Sequence, residues 1–184
     1  MTMPTFTDGV LVHAASLTSL ATGINSLNTV LTGAVAPRAY IPTSYAKLTA
    51  NKTISNNLDT IVTFDTDPID NDGAWTAAVN HFTIKTAGVY VAWAQANFVA
   101  NATGIRAAYI LLNGTSVTTN AVAAGFENAQ SFGGGNFWCV MTPPMSLAVN
   151  ATLYLSVYQN SGGSLALAQT TESGTFMCLA RIGS

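Results

Sequence analysis

Charge is what this sequence has least of. Only 8% of its 184 residues are Asp, Glu, Lys or Arg, about a third of the share in an ordinary soluble domain. The six Lys and Arg residues are scattered singly, and the net charge is −2. No basic stripe exists to neutralise a phosphate backbone, which argues against nucleic acid as a partner. Apolar residues make up 49% of the chain. They never run for the 18 or so positions that a membrane-spanning helix needs, so no membrane partner is expected. The opening residues, MTMPTFTDG, lack the positive region and apolar block of a secretory signal.

Residues that carry chemistry are equally sparse. The histidines are His13 and His81, and the glutamates Glu127 and Glu172. No G-x-S-x-G elbow, H-E-x-x-H pair or phosphate-cradling loop occurs. A glycosidase-type carboxylate pair is not singled out by any spacing. No catalytic residue is assigned, and the chain is expected to be non-enzymatic. Cys139 in FWCVM and Cys178 in FMCLA lie in apolar runs, where free cysteines behave as small hydrophobes. Spacing alone leaves open whether they pair.

With so little charge, solubility must come from neutral polar side chains, from burial against other copies of the chain, or from both. Two regions point to burial. Val10, His13, Leu17, Leu20, Ile24, Leu27 and Leu31 recur at alternating spacings of 3 and 4, a narrow seam of the coiled-coil kind. The residues between them include Thr18, Thr22, Gly23, Asn25 and Thr29, which are weak helix formers. A helix this short is marginal alone and needs partners for its stripe. Residues 1–35 are therefore read as an attachment arm and coiled-coil stalk, with Gly33 and Pro37 ending it.

Residues 36–184 show no helical period. Short apolar strands alternate with breakers such as Asp72-Gly73, Asn113-Gly114 and Pro143-Pro144, as in a β-sandwich. The expected strands are 39–48, 60–64, 75–77, 81–84, 88–99, 105–112, 132–142, 153–159 and 174–182. Two of them are apolar on both faces. In VYVAWAQANFV, Val89, Val91, Trp93 and Val99 oppose Tyr90, Ala92, Ala94, Ala96 and Phe98. In GTFMCLARIG, Met177 and Leu179 alternate with Phe176, Cys178, Ala180 and Ile182. A sandwich covers only one face of each sheet, so the second face asks for a symmetric neighbour. Tyr90, Ala92, Phe98, Phe176, Cys178 and Ala180 are the expected contacts between copies, with small alanines allowing close approach.

The stretch from Thr60 to Phe98 resembles the central block of C1q/TNF-like jelly rolls: Phe64, Trp75, Phe82-Thr83 and Ala87-Gly88-Val89-Tyr90 stand in the family's order. The closing LYLSVYQNSGGSLALAQTTESGTFMCLARIG resembles the family's last strands. The resemblance implies a mostly β, ten-strand jelly-roll head that forms a tight homotrimer, with its first and last strands near the threefold axis. The start, TFTDGVLVHAASLTSLATGINSL, is similar to phage tail-fibre and head-fibre proteins, and so implies a virion. The collagen repeats of vertebrate C1q proteins are missing.

Two ligand expectations remain. Asp65, Asp67, Asp70 and Asp72 hold half of all the acids in one stretch. Clustered oxygens suit calcium, although Pro68 interrupts them and the spacing is not that of an EF-hand. The plainer reading is a solvated loop of local turns, and no other cofactor is expected. Trp75, beside a loop, is the aromatic singled out for stacking on host sugars. The expected role is a virion-surface appendage: a capsid decoration, head fibre or minor tail protein, held to other virion proteins by its N-terminal segment. A glycan-binding tail-fibre tip and a secreted C1q-like receptor ligand are the alternatives.

Overall fold

The computed structural model describes residues 43–76, 78–129, 136–169 and 174–184. The stalk seam, Val10, Leu17, Leu20, Ile24, Leu27 and Leu31, lies outside the described residues, as does His13. Short segments with alternating burial fill the described chain. The first seven strands are β1 (Thr43–Lys47), β2 (Lys52–Ile54), β3 (Thr60–Ile61), β4 (Thr66–Asp70), β5 (Trp75–Thr76), β6 (His81–Thr83) and β7 (Gly88–Phe98). The rest are β8 (Ile105–Leu112), a helical turn α1 (Val117–Asn120), β9 (Ala121–Asn128), β10 (Asn136–Met141), β11 (Met145–Leu147), β12 (Thr152–Gln159), β13 (Leu165–Leu167) and β14 (Phe176–Gly183).

They form two antiparallel sheets. The larger runs β2-β13-β7-β14-β1-β4, with β10 and β11 also pairing with β7. The smaller runs β5-β6-β12-β8-β9, with β3 beside β12. Strand β7 organises the larger sheet because it is long enough for four partners. Gln95 to Val89 pair with Phe176 to Gly183, and Phe98 to Trp93 with Asn136 to Met141. Gly88 starts it without choice, since a Cβ there would run into the Arg181 side chain and the Gly183 carbonyl.

The core lies between the sheets. From β7 come Tyr90, Ala92, Ala94, Ala96 and Phe98, and from β14 Met177 and Leu179. The smaller sheet answers with Leu153, Leu155, Val157, Ala108 and Ile110. Three alanines in a row leave room for larger neighbours: Trp138 stands edge-on to Phe98 at 6.0 Å, and Trp75 packs against Phe82 at 5.3 Å. Arg106 is wholly buried. Its guanidinium donates to the carbonyls of Asn101, Thr103 and Ile105 and lies 5.7 Å from the Phe98 ring centroid. It ties down the loop before β8.

Asn113 takes φ of +55°, as the Asn-Gly signal predicts. The connection is longer than a two-residue hairpin, however. It spans α1, and Asn113 Oδ1 accepts from Thr152 N at 2.9 Å, fastening the turn to β12. Strand β8 has its expected bounds. Strands β2, β4, β9, β11 and β13 were not expected. The first three sit at sheet edges, where Pro68 in β4 and the small residues of β9 are tolerated.

Candidate functional site

Alternation along β7 sends Trp93 to the outside of the larger sheet, and register does the rest. Trp93 pairs with Cys178 on β14, Cys178 with Tyr45 on β1, Tyr45 with Ile69 on β4, and Trp93 with Met141 on β10. Five strands thus contribute one row: Ile69, Tyr45, Cys178, Trp93, Met141. The flanking row is Lys47, Phe176, Gln95 and Cys139. A third joins Thr43, Ala180 and Val91. Met141 is 68% exposed, Ile182 57%, Phe137 54% and Ile69 50%. Of these positions only Lys47 carries a charge. Tyr45 and Phe176 meet edge to face at 5.6 Å, which presents a continuous aromatic ridge.

The Cys178 thiol adds no charge to this face. Burial pushes Cys178 up to about 12, so it stays protonated at physiological pH. Tyr45 is raised by burial first and by the neighbouring Cys178 second. Cys139 is exposed, donates to Gln95 Oε1 at 3.6 Å, and is free, as is Cys178. The two sit on opposite sides of β7 in different rows, so they do not pair within the chain. A large contiguous apolar area on one side of a domain marks an interaction surface.

The outside of the smaller sheet is built differently. Ala107, Leu111 and Ser156 point outward yet are buried. Their neighbours in register and along the strands are Tyr109, Tyr154, Tyr158 and Ile61. Those half-buried side chains roof the small ones. The roof has polar tips: Tyr158 Oη donates to Asn57 Oδ1 at 3.1 Å, and His81 lies 4.7 Å from the Tyr154 ring. Burial raises Tyr109, with Asp59 and Tyr158 adding to it.

Several expected site residues fall elsewhere. Tyr90, Ala92 and Phe98 are buried in the sandwich core rather than on an outer face, because β7 turns its alanine side inward to make room for rings. Phe176, Cys178 and Ala180 do lie on the outer face. Trp75 is buried between Phe64, at 5.8 Å, and Phe82, and offers no ring to a sugar. The aspartates do not converge, and no three acidic, His or Cys side chains among the described residues could hold a metal. Asp70 instead accepts from Ser44 Oγ, Ala74 N and Trp75 N, fixing the turn before β5. Asp65 accepts from Thr49 N, Asp72 accepts from Thr86 Oγ1, and Asp67 faces solvent. Sequence reading missed Tyr45, Ile69, Phe137 and Met141 on the outer face. The alternation of Phe137, Cys139 and Met141 carried the signal for β10.

No protein-family model matches the sequence, and a search of curated proteins finds no relative. Solved structures do match. Murine APRIL at pH 8.0 superposes with a TM-score of 0.57 at 12% identity, covering 77% of this chain and 99% of that one. At pH 5.0 the same protein gives 0.55 at 13% identity, covering 76% and 98%. The fold is a TNF-like jelly roll. Eiger TNF from S. frugiperda adds a TM-score of 0.51 at 11% identity, covering 78% and 94%. At these identities the likeness is one of fold.

Proposed function

We propose that this chain is a non-enzymatic structural protein of a bacteriophage virion, a surface appendage that assembles as a homotrimer. Residues 36–184 form the jelly-roll knob, and residues 1–35 form the stalk that holds it to other virion proteins. The observation that carries the assembly is the row Ile69, Tyr45, Cys178, Trp93 and Met141 on the outside of the larger sheet. Left to water, it would be a costly and adhesive surface. Covered by further copies, it becomes the centre of a stable contact. Three copies agree with the C1q/TNF resemblance and with a stalk seam that also needs identical partners. The virion assignment rests on the phage-fibre resemblance of the N-terminal segment. Gold-labelled antibody against the head, applied to purified particles of the encoding phage, should decorate them at regular positions. Absence of the chain from such particles contradicts the virion assignment.

A second reading, a secreted ligand of a cell receptor, draws on the likeness to APRIL and Eiger TNF. It expects the chain in particle-free medium, bound to cells lacking any virion.

A further inference from the structure

Copies related by a threefold axis meet head to tail: each contact joins one surface of a copy to a different surface of the next. The row from Ile69 to Met141 supplies one surface, and the exposed apolar residues point to the other. Leu58, Val79 and Val149 stand singly in loops and turns, as scattered surface residues commonly do. Phe126 differs. At 73% it is the most exposed large apolar side chain among the described residues, and it lies on β9, at the end of the smaller sheet.

The two sheets border one another at this edge. Strand β10 pairs with β7 and with no other described strand. A Cβ added at Gly125 on β9 would stand 3.7 Å from the Cys139 carbonyl on β10. Alternation sends Phe137, Cys139 and Met141 to the outside of the larger sheet. It sends Phe126 to the outside of the smaller one, opposite Ala107. Ile105, two residues before Ala107 on β8, faces the same way and is 41% exposed. The edge therefore has an apolar flank on each side, Phe137 and Met141 on one, Phe126 and Ile105 on the other. It is continuous with the row, because Met141 belongs to both.

Charge agrees with a contact between this edge and that face. The one charged residue on β9 and β10 is Glu127, and the one in the three outer rows is Lys47. They are opposite in sign, as on surfaces that meet. Elsewhere both surfaces are apolar or neutral, so little desolvated charge opposes the contact.

We propose that the β9–β10 edge of one copy seats on the outer face of the larger sheet of the next, with Phe126 as its anchor against the Tyr45–Phe176 ridge. This rests on the homotrimer proposed above and names the surface that covers the row. Each copy gives one edge and receives one, so three copies close the ring and leave neither surface open. An aromatic side chain that goes from water into the middle of a contact is the kind of residue that dominates binding.

The test places the photoreactive p-benzoylphenylalanine at position 126 of the full chain, refolds it together with isotope-labelled wild-type chain, and irradiates the assembly. Cross-linked peptides should join residue 126 of one copy to residues 43–47 or 176–182 of a labelled copy. In sedimentation equilibrium Phe126→Ser should weaken the trimer at least about thirtyfold. Val149→Ser, at a half-exposed turn residue away from the edge, should leave it unchanged. Unaltered far-ultraviolet circular dichroism would show that both variants are folded. A trimer indifferent to Phe126→Ser overturns this seating and leaves the trimer standing. So does a trimer that yields no cross-link between copies, or cross-links only to the smaller sheet of another copy. A wild-type chain that sediments at one chain mass removes the trimer and the seating with it.

Discussion

The two sheets of this head turn very different outsides to their surroundings. The smaller sheet buries Ala107, Leu111 and Ser156 under half-exposed tyrosines whose hydroxyls find polar neighbours such as Asn57. Only at the β8–β9 edge does a large apolar side chain stand out, where Phe126 pairs with Ala107 and is 73% exposed. The larger sheet leaves Met141, Phe137, Ile182 and Ile69 at least half exposed, with no other described residue laid over them. Both sheets use the same alternation and the same core. The difference lies in what stands at the outward positions, and it is the reason the larger sheet is proposed as the side covered by other copies of the chain.

The contrast can be broken most severely by placing a charge on each outside. Trp93→Arg puts an unpaired guanidinium into the proposed contact and should weaken the trimer by about 3 kcal/mol or more, over a hundredfold. Tyr109→Arg, on the other sheet, should leave assembly unchanged. Sedimentation equilibrium of both variants reads the difference.

A pair of alanines sharpens the assignment of faces. Ala94 is buried on the inner side of β7, whereas Ala124 is exposed on β9. Ala94→Leu should overpack the core and lower stability by about 1–3 kcal/mol. Ala124→Leu should change it by less than about 0.5 kcal/mol. Urea melts of the two proteins measure this.

A pH-dependent effect is expected at Cys178. Its pKa rises from 9.0 to about 12 on folding because burial favours the neutral thiol. The folded state then holds a proton that the unfolded state releases. The stabilisation is complete below pH 9 and is lost as the pH rises from 9 towards 12. Melts across that range should show this slope in the wild-type head, and Cys178→Ala should flatten it.

Much of the fold was legible because period-2 alternation and turn residues are local signals. Strand β8 is matched residue for residue, and β7, β12 and β14 to within one or two positions at each end. The edge strands were hidden: the Asp and Pro residues of β4 read as a loop, and the Ala and Gly residues of β9 carry little strand preference. Which side of β7 faces inward was not legible at all. Both sides are apolar, and the choice depends on Trp138 and the strands of the other sheet, which are distant in sequence. The same blindness put Trp75 at a ligand site, since a loop neighbour in sequence became the filling between Phe64 and Phe82. The acidic stretch misled for a related reason. Asp70 serves Ser44, Ala74 and Trp75, and one of these partners is far away along the chain.

Sedimentation equilibrium of the full, unmodified chain at micromolar concentration tests the central claim most directly. A single species of three times the chain mass is predicted, because identical copies are proposed to cover the outside of the larger sheet and the stalk seam. A well-behaved species of one chain mass would mean that the row from Ile69 to Met141 stands in water at no penalty, and would contradict the account.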